Sequence, residues 1–425
     1  MDIDKSFNAC NLPLITKSVK GLSSNSASPT DTWIITLKDD VTYEGKKVEK
    51  VFLKFFIDPS FYHYFNREPV KGLLYEQKVY AKVREMMDSG MCNNFVKVYA
   101  LGTDCNLNSL ESMVTIAGID KENLYRNIDY MLKLRPGRHA VDNDFSFRRY
   151  SRPNPRLRFH YIVNEVINVE NRFALTMWDF CTLVNYNFSD IITVLFEQTF
   201  ACYAMYLNGI AHNDLHMGNS YIIKHKEIGK TYIYGFDKDT QLFDTNSYNT
   251  KYTVKVFDFD RAYDVKLGPN KNQIQEQEYS NNTLVPIKDI IKTFCTLYEH
   301  YIYTKDQRGK DKVVSILSYR AKDTHAQRQE RKRKTIQLLE DKDTCFWGLK
   351  NGRALWAADY VKINDNYQDL LTAMRSYMKL RNMVKLPEQD DVVNICHKGL
   401  FKRDGSLDLV ELAAEKNTVQ IILEP

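Results

Sequence analysis

A long apolar helical run, Ile191 to Gly209, empties into the polar turn His212-Asn213-Asp214-Leu215-His216-Met217-Gly218-Asn219. Farther on, an apolar strand-like run, Val254 to Phe257, ends on the acid of Val256-Phe257-Asp258-Phe259-Asp260. These two junctions constrain the fold most, because each sets a carboxylate at the end of a regular element. Asp214 and Asn219 are five positions apart on one turn. Magnesium takes oxygen ligands and keeps few protein carboxylates around it, so Asn219 and Asp258 make a fitting pair of metal ligands. Asp214 would then accept a proton from an attacking hydroxyl. Two polar loops of an unrelated globular protein are the alternative reading.

The chain is long enough, at 425 residues, for two or three domain-sized units and a large core. A net charge of +5 is too mild to name a partner. The amino-terminal Met1-Asp2-Ile3-Asp4-Lys5 has neither a basic start nor an apolar core, so no signal peptide is expected. No apolar run approaches the roughly 18 to 20 residues of a membrane span. Eight cysteines are scattered without a Cys-x-x-Cys pair, which argues against a zinc site and predicts free thiols in a reducing compartment. The expectation is a soluble, intracellular protein without a membrane partner.

Along the chain, Trp33 to Leu37 and Val51 to Phe56 read as strands, and the polar stretch Asp39 to Lys50 with Gly45 reads as a hairpin between them. Leu74, Val79, Val83, Met86 and Met87 recur at helical spacing, with Gly90 as the exit. Phe95 to Tyr99 reads as a short strand. From about Leu101 to Arg158 the pattern loosens into an insertion, with helix around Leu124 to Leu134 and an arginine-rich second half. Phe159 to Ile167 returns to β character, and Phe188 to Leu207 is helical. Asp214 and Asp258 lie 44 positions apart, which leaves room for an inserted extended hairpin at about 224–253. A helix is expected over Val285 to His300, and the final third is mostly helical.

The two acid-bearing motifs resemble those of the protein-kinase-like superfamily, whose catalytic loop reads His-x-Asp-Leu-x-x-x-Asn and whose metal loop reads Asp-Phe-Gly. Asp214, Leu215 and Asn219 match the first; Asp258 and Phe259 match the second, with Asp260 in place of the glycine. The resemblance covers roughly residues 15 to 300. It implies an α+β, bilobal fold: a small β-rich N-lobe with one helix over 1–168, interrupted by the insertion at 101–158, and a larger, mainly helical C-lobe over 169–425 with a helical extension. ATP and Mg2+ are the implied cofactors, bound between the lobes. Large insertions and the Asp-Phe-Asp motif look most like the diverged serine/threonine protein kinases of large DNA viruses, with haspin-like traits.

Site roles follow from the same resemblance. Lys54 lies within the apolar run Leu53-Lys54-Phe55, where an unpaired ammonium is costly, so it needs an anionic partner. Glu76 is the family-like choice and Glu85 the competitor; a solvent-facing lysine on an edge strand is the bland alternative. The glycine-rich phosphate loop is degenerate, Lys20-Gly21-Leu22-Ser23-Ser24-Asn25-Ser26-Ala27-Ser28, leaving Gly21, Ser23 and Ser24 as candidates. Backbone groups around Glu165 and Ile167 would hold the adenine, with Met177 to Phe180 as an alternative hinge. His216 takes the place where protein kinases usually carry a lysine. It can donate to the transferred phosphoryl group with a charge that depends on pH. Asn213 replaces the arginine that many regulated kinases use to grip a phosphorylated segment, and His212 is assigned a structural role. Asp289 matches the buried family aspartate that anchors the catalytic-loop backbone.

The acceptor is expected to be a protein. His-x-Asp-Leu-His-x-Gly-Asn and the absence of an Ala-Pro-Glu sequence equally suit a small-molecule kinase of the aminoglycoside or choline phosphotransferase type, acting on a small hydroxyl-bearing substrate. A non-catalytic pseudokinase binding module is the third reading. Arg331-Lys332-Arg333-Lys334 reads first as a solvated helix face, with a nuclear signal as the alternative, so nucleic acid is not an expected partner. Cytoplasmic, nuclear and virion-associated locations all remain compatible.

Overall fold

Antiparallel strands build the amino-terminal part of the chain, and a helix buried on all sides organises the rest. The computed structural model describes residues 7–22, 31–57, 70–89, 91–118, 121–122, 124–125, 158–167, 173–182, 187–224, 234–235, 252–270, 284, 287–320, 322–340, 349–350, 353–354, 367–380 and 420–421. The chain divides into two compact units: Met1–Ala81, Val96–Val169 and Asn270–Glu276 form the first, and Lys82–Phe95, Glu170–Pro269 and Gln277–Pro425 the second. Lys82–Phe95, expected with the first lobe, belongs to the second unit.

The first unit contains α1 (Leu12–Ile15), β1 (Thr16–Leu22), β2 (Asp31–Leu37), β3 (Thr42–Tyr43), β4 (Lys46–Lys47), β5 (Lys50–Ile57), the start of α2 (Val70–Asp88), β6 (Val98–Asn106), α3 (Leu107–Ile116) and β7 (Arg158–Glu165). Five strands form an antiparallel sheet in the order β1-β2-β5-β7-β6. Side chains alternate across it. Trp33, Ile35, Leu53, Phe55, Phe159, Tyr161 and Val163 join one core with Phe7, Leu12, Leu110 and Met113, so α3 and the amino-terminal segment cover that face. Lys54, one residue out of phase, falls on the opposite face. The polar stretch between β2 and β5 is the expected hairpin: Glu44 and Gly45 turn at φ 49° and 73°, the left-handed pair that a two-residue hairpin loop requires.

Two expectations for this unit need correction. Regular strand starts at Val98, not Phe95, and runs through Asn106 into α3, where the sequence read as a loosened insertion with a single helix in the whole lobe. Polar side chains at Asp104 and Asn106 masked an edge strand with irregular register between Gly102 and Cys105. Cys10 and Cys105, 95 residues apart, form a disulfide across a 5.6 Å Cα separation, contrary to the expectation of free thiols throughout. Spacing along the chain gave no sign of it, because the pair exists only once the amino-terminal segment packs beside β6 and α3. Cys92, Cys181, Cys202 and Cys295 are buried; burial pushes the Cys92 thiol up to about 12 and raises those of Cys181 and Cys202, which disfavours their thiolates.

Gly102 is required by packing. A Cβ there would overlap the Tyr161 ring and hydroxyl, and that ring is 2% exposed with its hydroxyl hydrogen-bonded to the Ala9 backbone. Gly102→Ala is expected to lower unfolding free energy by about 2 kcal/mol, the usual cost of overpacking a rigid site. Urea titration of wild type and variant checks this; an unchanged midpoint would mean that Tyr161 has somewhere to go.

The second unit contains β8 (Phe173–Thr176), α4 (Met177–Thr182), α5 (Phe188–Leu207), β9 (Ile210–Ala211), β10 (Ser220–Lys224), β11 (Tyr234–Gly235), β12 (Tyr252–Val256), β13 (Tyr263–Asp264), α6 (Lys288–Tyr303), α7 (Gln307–Leu317), α8 (His325–Glu340), β14 (Leu349–Lys350), β15 (Arg353–Ala354), α9 (Tyr367–Leu380) and β16 (Gln420–Ile421). Asn187 caps α5 by accepting the Asp190 N–H, and every residue from Ile191 to Met205 is buried. An all-round buried helix of this kind is the centre of its unit. Tyr367 and Gln368 of α9 lie against it, the latter donating to the Tyr203 hydroxyl at 2.8 Å. β12, β10 and β8 form a three-stranded antiparallel sheet.

Most of the expected hairpin at 224–253 lies outside the described residues. Tyr234–Gly235 within it pairs in parallel with Gln420–Ile421, not with a hairpin neighbour. Of the insertion's arginine-rich second half only Arg158 is described, and of its expected helix, Leu124 to Leu134, only residues 124 and 125. Arg331, Arg333 and Lys334 of α8 pair with Asp323 and Glu330 on an exposed helix, which matches the solvated-face reading. Among the described residues no helix is long and apolar enough to cross a membrane.

Candidate active site

In the first unit, Lys54 is on the central strand β5, flanked by Thr32 of β2 and Ile162 of β7, so the edge-strand alternative does not apply. Its ammonium meets Glu76 Oε1 at 2.9 Å, with the two side chains 13% and 2% exposed. Glu85 is exposed and is not this partner. Gln77, next to Glu76, donates to the Gly102 and Tyr161 carbonyls at 2.7 and 2.9 Å and so fixes α2 against the sheet. A buried pair of this kind holds its ammonium in one place, at the cost of desolvating both ions.

The nucleotide-loop candidates are less well placed. Gly21 lies within β1, opposite Trp33, and a Cβ there would make only ordinary contact with that ring at 3.8 Å. Ser23 and Ser24 lie outside the described residues. Glu165 ends β7 and gives both its backbone N–H and its carboxylate to Lys97: it donates to the Lys97 carbonyl at 2.9 Å and accepts the Lys97 N–H at 2.8 Å. Ile167 is buried two residues on.

In the second unit, α5 ends at Gly209, whose φ of 73° turns the chain into β9 and the loop from His212. Two features hold that loop. Asp289, in the first turn of α6, accepts the backbone N–H groups of His212 and Asn213, one on each carboxylate oxygen, both at 2.7 Å. His212 Nε2 donates to the Phe257 carbonyl at 2.9 Å, and its ring lies 5.0 Å from that of Phe259. The loop carrying Asp214 is thereby tied to the loop carrying Asp258. Both turns contain an acid or amide in the left-handed region, Asn213 at φ 62° and Asp258 at φ 66°. Asn and Asp tolerate this conformation far better than arginine would, which explains the amide at 213. Strained backbone of this sort persists where surrounding bonds over-determine it.

The candidate metal ligands come together through the sheet. Ser220 of β10 pairs with Val256 of β12, and the Phe257 N–H donates to the Asn219 carbonyl at 3.2 Å. Asn219 therefore precedes one strand where Asp258 follows its neighbour. The Asn219 Nδ2 donates to the Asp214 carbonyl at 2.9 Å, which commits the amide nitrogen to the loop and makes the side-chain oxygen the atom for a cation. Among the described residues no group of three or more His, Cys, Asp or Glu can hold a metal alone. One carboxylate and one amide oxygen fit magnesium, which completes its shell with phosphate oxygens and water. Tyr221, stacked on Phe257 at 4.4 Å, has its pKa raised by burial and then by the nearby Asp258 charge, and stays a neutral neighbour.

His216 accepts the Gly218 N–H on Nδ1 at 3.0 Å, so the neutral ring carries its proton on Nε2. A Cβ at 218 would come within 2.7 Å of that imidazole, so the glycine is needed by the histidine. Three features were missed from sequence. Buried Glu197 of α5 accepts the Val254 N–H at 2.7 Å and the Asn94 amide at 3.0 Å, holding β12 in place. Fully buried Asp264 bonds Lys82 and the N–H groups of Lys266 and Leu267, which fastens the segment after Asp258. Arg261 lies beside Asp214, its Nε 3.6 Å from Oδ2. The polar pattern around each residue is ordinary, and only the third of them had a signal, an arginine three positions after the metal-loop acid. No family model matches the chain, and no curated protein matches it either.

Proposed function

We propose that the chain is an ATP-dependent phosphotransferase, a serine/threonine protein kinase by substrate class, which moves the γ-phosphate of ATP to a hydroxyl. The observation that carries this reading is the wiring of its two acid-bearing turns, Asp289 to His212 and Asn213, and His212 to Phe257. Phosphoryl transfer asks for positioned charge more than for covalent chemistry, and such wiring supplies it. Asp214 takes the hydroxyl proton. Lys54, held by Glu76, is the cation for the α- and β-phosphates, and His216 offers an N–H to the transferred group. Asn219 and Asp258 would hold magnesium, which when bound neutralises phosphate charge. A small-molecule kinase is the second reading, favoured by the dependence of His216 on Gly218, since the His-x-Gly-Asn pattern suits the aminoglycoside phosphotransferase type.

The test is incubation of the purified chain with γ-labelled ATP and Mg2+, offering casein-like proteins and a panel of small alcohols in parallel. Label on protein serine or threonine is the expected result, with a rate about 10²-fold lower in Lys54→Met. Because that substitution leaves Glu76 buried without its partner, melting of the variant is followed alongside. Label only on small alcohols moves the conclusion to the second reading. Nucleotide binding without transfer to any acceptor leaves a non-catalytic module and ends the proposal.

A further inference from the structure

The turn after Asp258 is fastened at both ends. Phe259 is fully buried under the His212 ring, the Ala262 N–H donates to the Phe259 carbonyl at 3.1 Å, and β13 pairs with β9 immediately afterwards. Arg261 is carried on this turn. Its side chain is 45% exposed, and at 3.6 Å from an Asp214 carboxylate that is 19% exposed it makes an ion pair and not a hydrogen bond. Charge is the second consideration. A polyphosphate brought beside Asp214 and Asp258 meets two carboxylates. His216, with Nδ1 occupied by the Gly218 N–H, offers one N–H donor. A guanidinium is always charged, and its planar fork matches phosphate oxygens.

We propose that Arg261 is a catalytic residue of the transfer reaction, binding the γ-phosphoryl oxygens next to Asp214 with its fixed positive charge. This rests on the phosphotransfer reading given above. In the step, Asp214 takes the acceptor's proton, the acceptor oxygen forms a bond to the γ-phosphorus, and the bond from that phosphorus to the bridging oxygen breaks to release ADP. Arg261 exchanges no proton; it stabilises negative charge on the moving group.

Steady-state kinetics of the full chain, with ATP, Mg2+ and whichever acceptor the wild type labels, test it. Arg261→Ala is expected to lower kcat about 10²-fold with little change in the acceptor KM. Arg261→Lys should recover part of the loss, and so should His216→Lys placed in the Arg261→Ala background. A wild-type kcat in Arg261→Ala overturns the proposal, as does a raised one, which would make the arginine a restraint on Asp214. Failure of both lysine variants to exceed Arg261→Ala also overturns it, because the role would then be structural. A wild type that labels nothing removes the phosphotransfer reading itself; an active wild type with an equally active Arg261→Ala removes only the arginine's part.

Discussion

Asp214→Asn is expected to abolish phosphate transfer, with kcat down on the order of 10³-fold, while nucleotide affinity stays within a few-fold of wild type. The substitution keeps the size of the side chain. It also keeps the bond from Asn219 Nδ2, because that bond is made to the backbone carbonyl at 214 and not to the carboxylate. What disappears is the oxygen able to take a proton from the acceptor. The groups assigned to the nucleotide, Lys54 and Glu76, belong to the other compact unit and are unaltered. Turnover with labelled ATP and affinity by titration calorimetry measure the two quantities separately. A variant within tenfold of the wild-type rate would remove Asp214 from the chemistry.

Asp289→Ala should destabilise the second unit strongly. Asp289 is 7% exposed, and the donors it satisfies belong to His212, which is fully buried, and Asn213, at 7%. Removing the carboxylate leaves two buried backbone N–H groups without acceptors, at about 1–3 kcal/mol each. A loss of about 3–5 kcal/mol is expected, and the released loop should lower kcat roughly 10²-fold through misplacement alone. Asp289→Asn retains one acceptor oxygen and turns an amine toward the other N–H, so it should fall between wild type and alanine. Chemical denaturation of the three proteins orders them; an alanine variant as stable as wild type would show that water or another group replaces the clasp.

How much of this was legible in the sequence depended on which residues carried the pattern. Apolar, β-prone runs at Trp33–Leu37 and Val51–Phe56 and the helical run ending at Leu207 are strong local signals, and the elements formed there within a residue or two. Glu76 was a fair choice because a lysine inside an apolar strand needs an acid. Asp289 was legible only through the resemblance of Ile287 to Phe294 to the family helix that anchors the catalytic loop. The edge strand β6 and helix α3 were hidden by polar side chains and irregular register, features that carry no period. The Cys10–Cys105 bond, the Glu197 hub and the contact of Arg261 with Asp214 join residues 47 to 103 positions apart, and each exists only through packing. The residues from 23 to 30, where the phosphate loop was expected, lie outside those described.

The crowding between His216 and Gly218 links two positions that chemistry alone would treat as independent. Glycine at 218 is not demanded by a left-handed backbone, only by the imidazole leaning against it. Were a flexible ammonium side chain to replace that ring, the steric demand would lapse and side chains would become admissible at 218. With the ring in place, any drift at 218 displaces it. The two sites should therefore be inherited, or redesigned, as a couple.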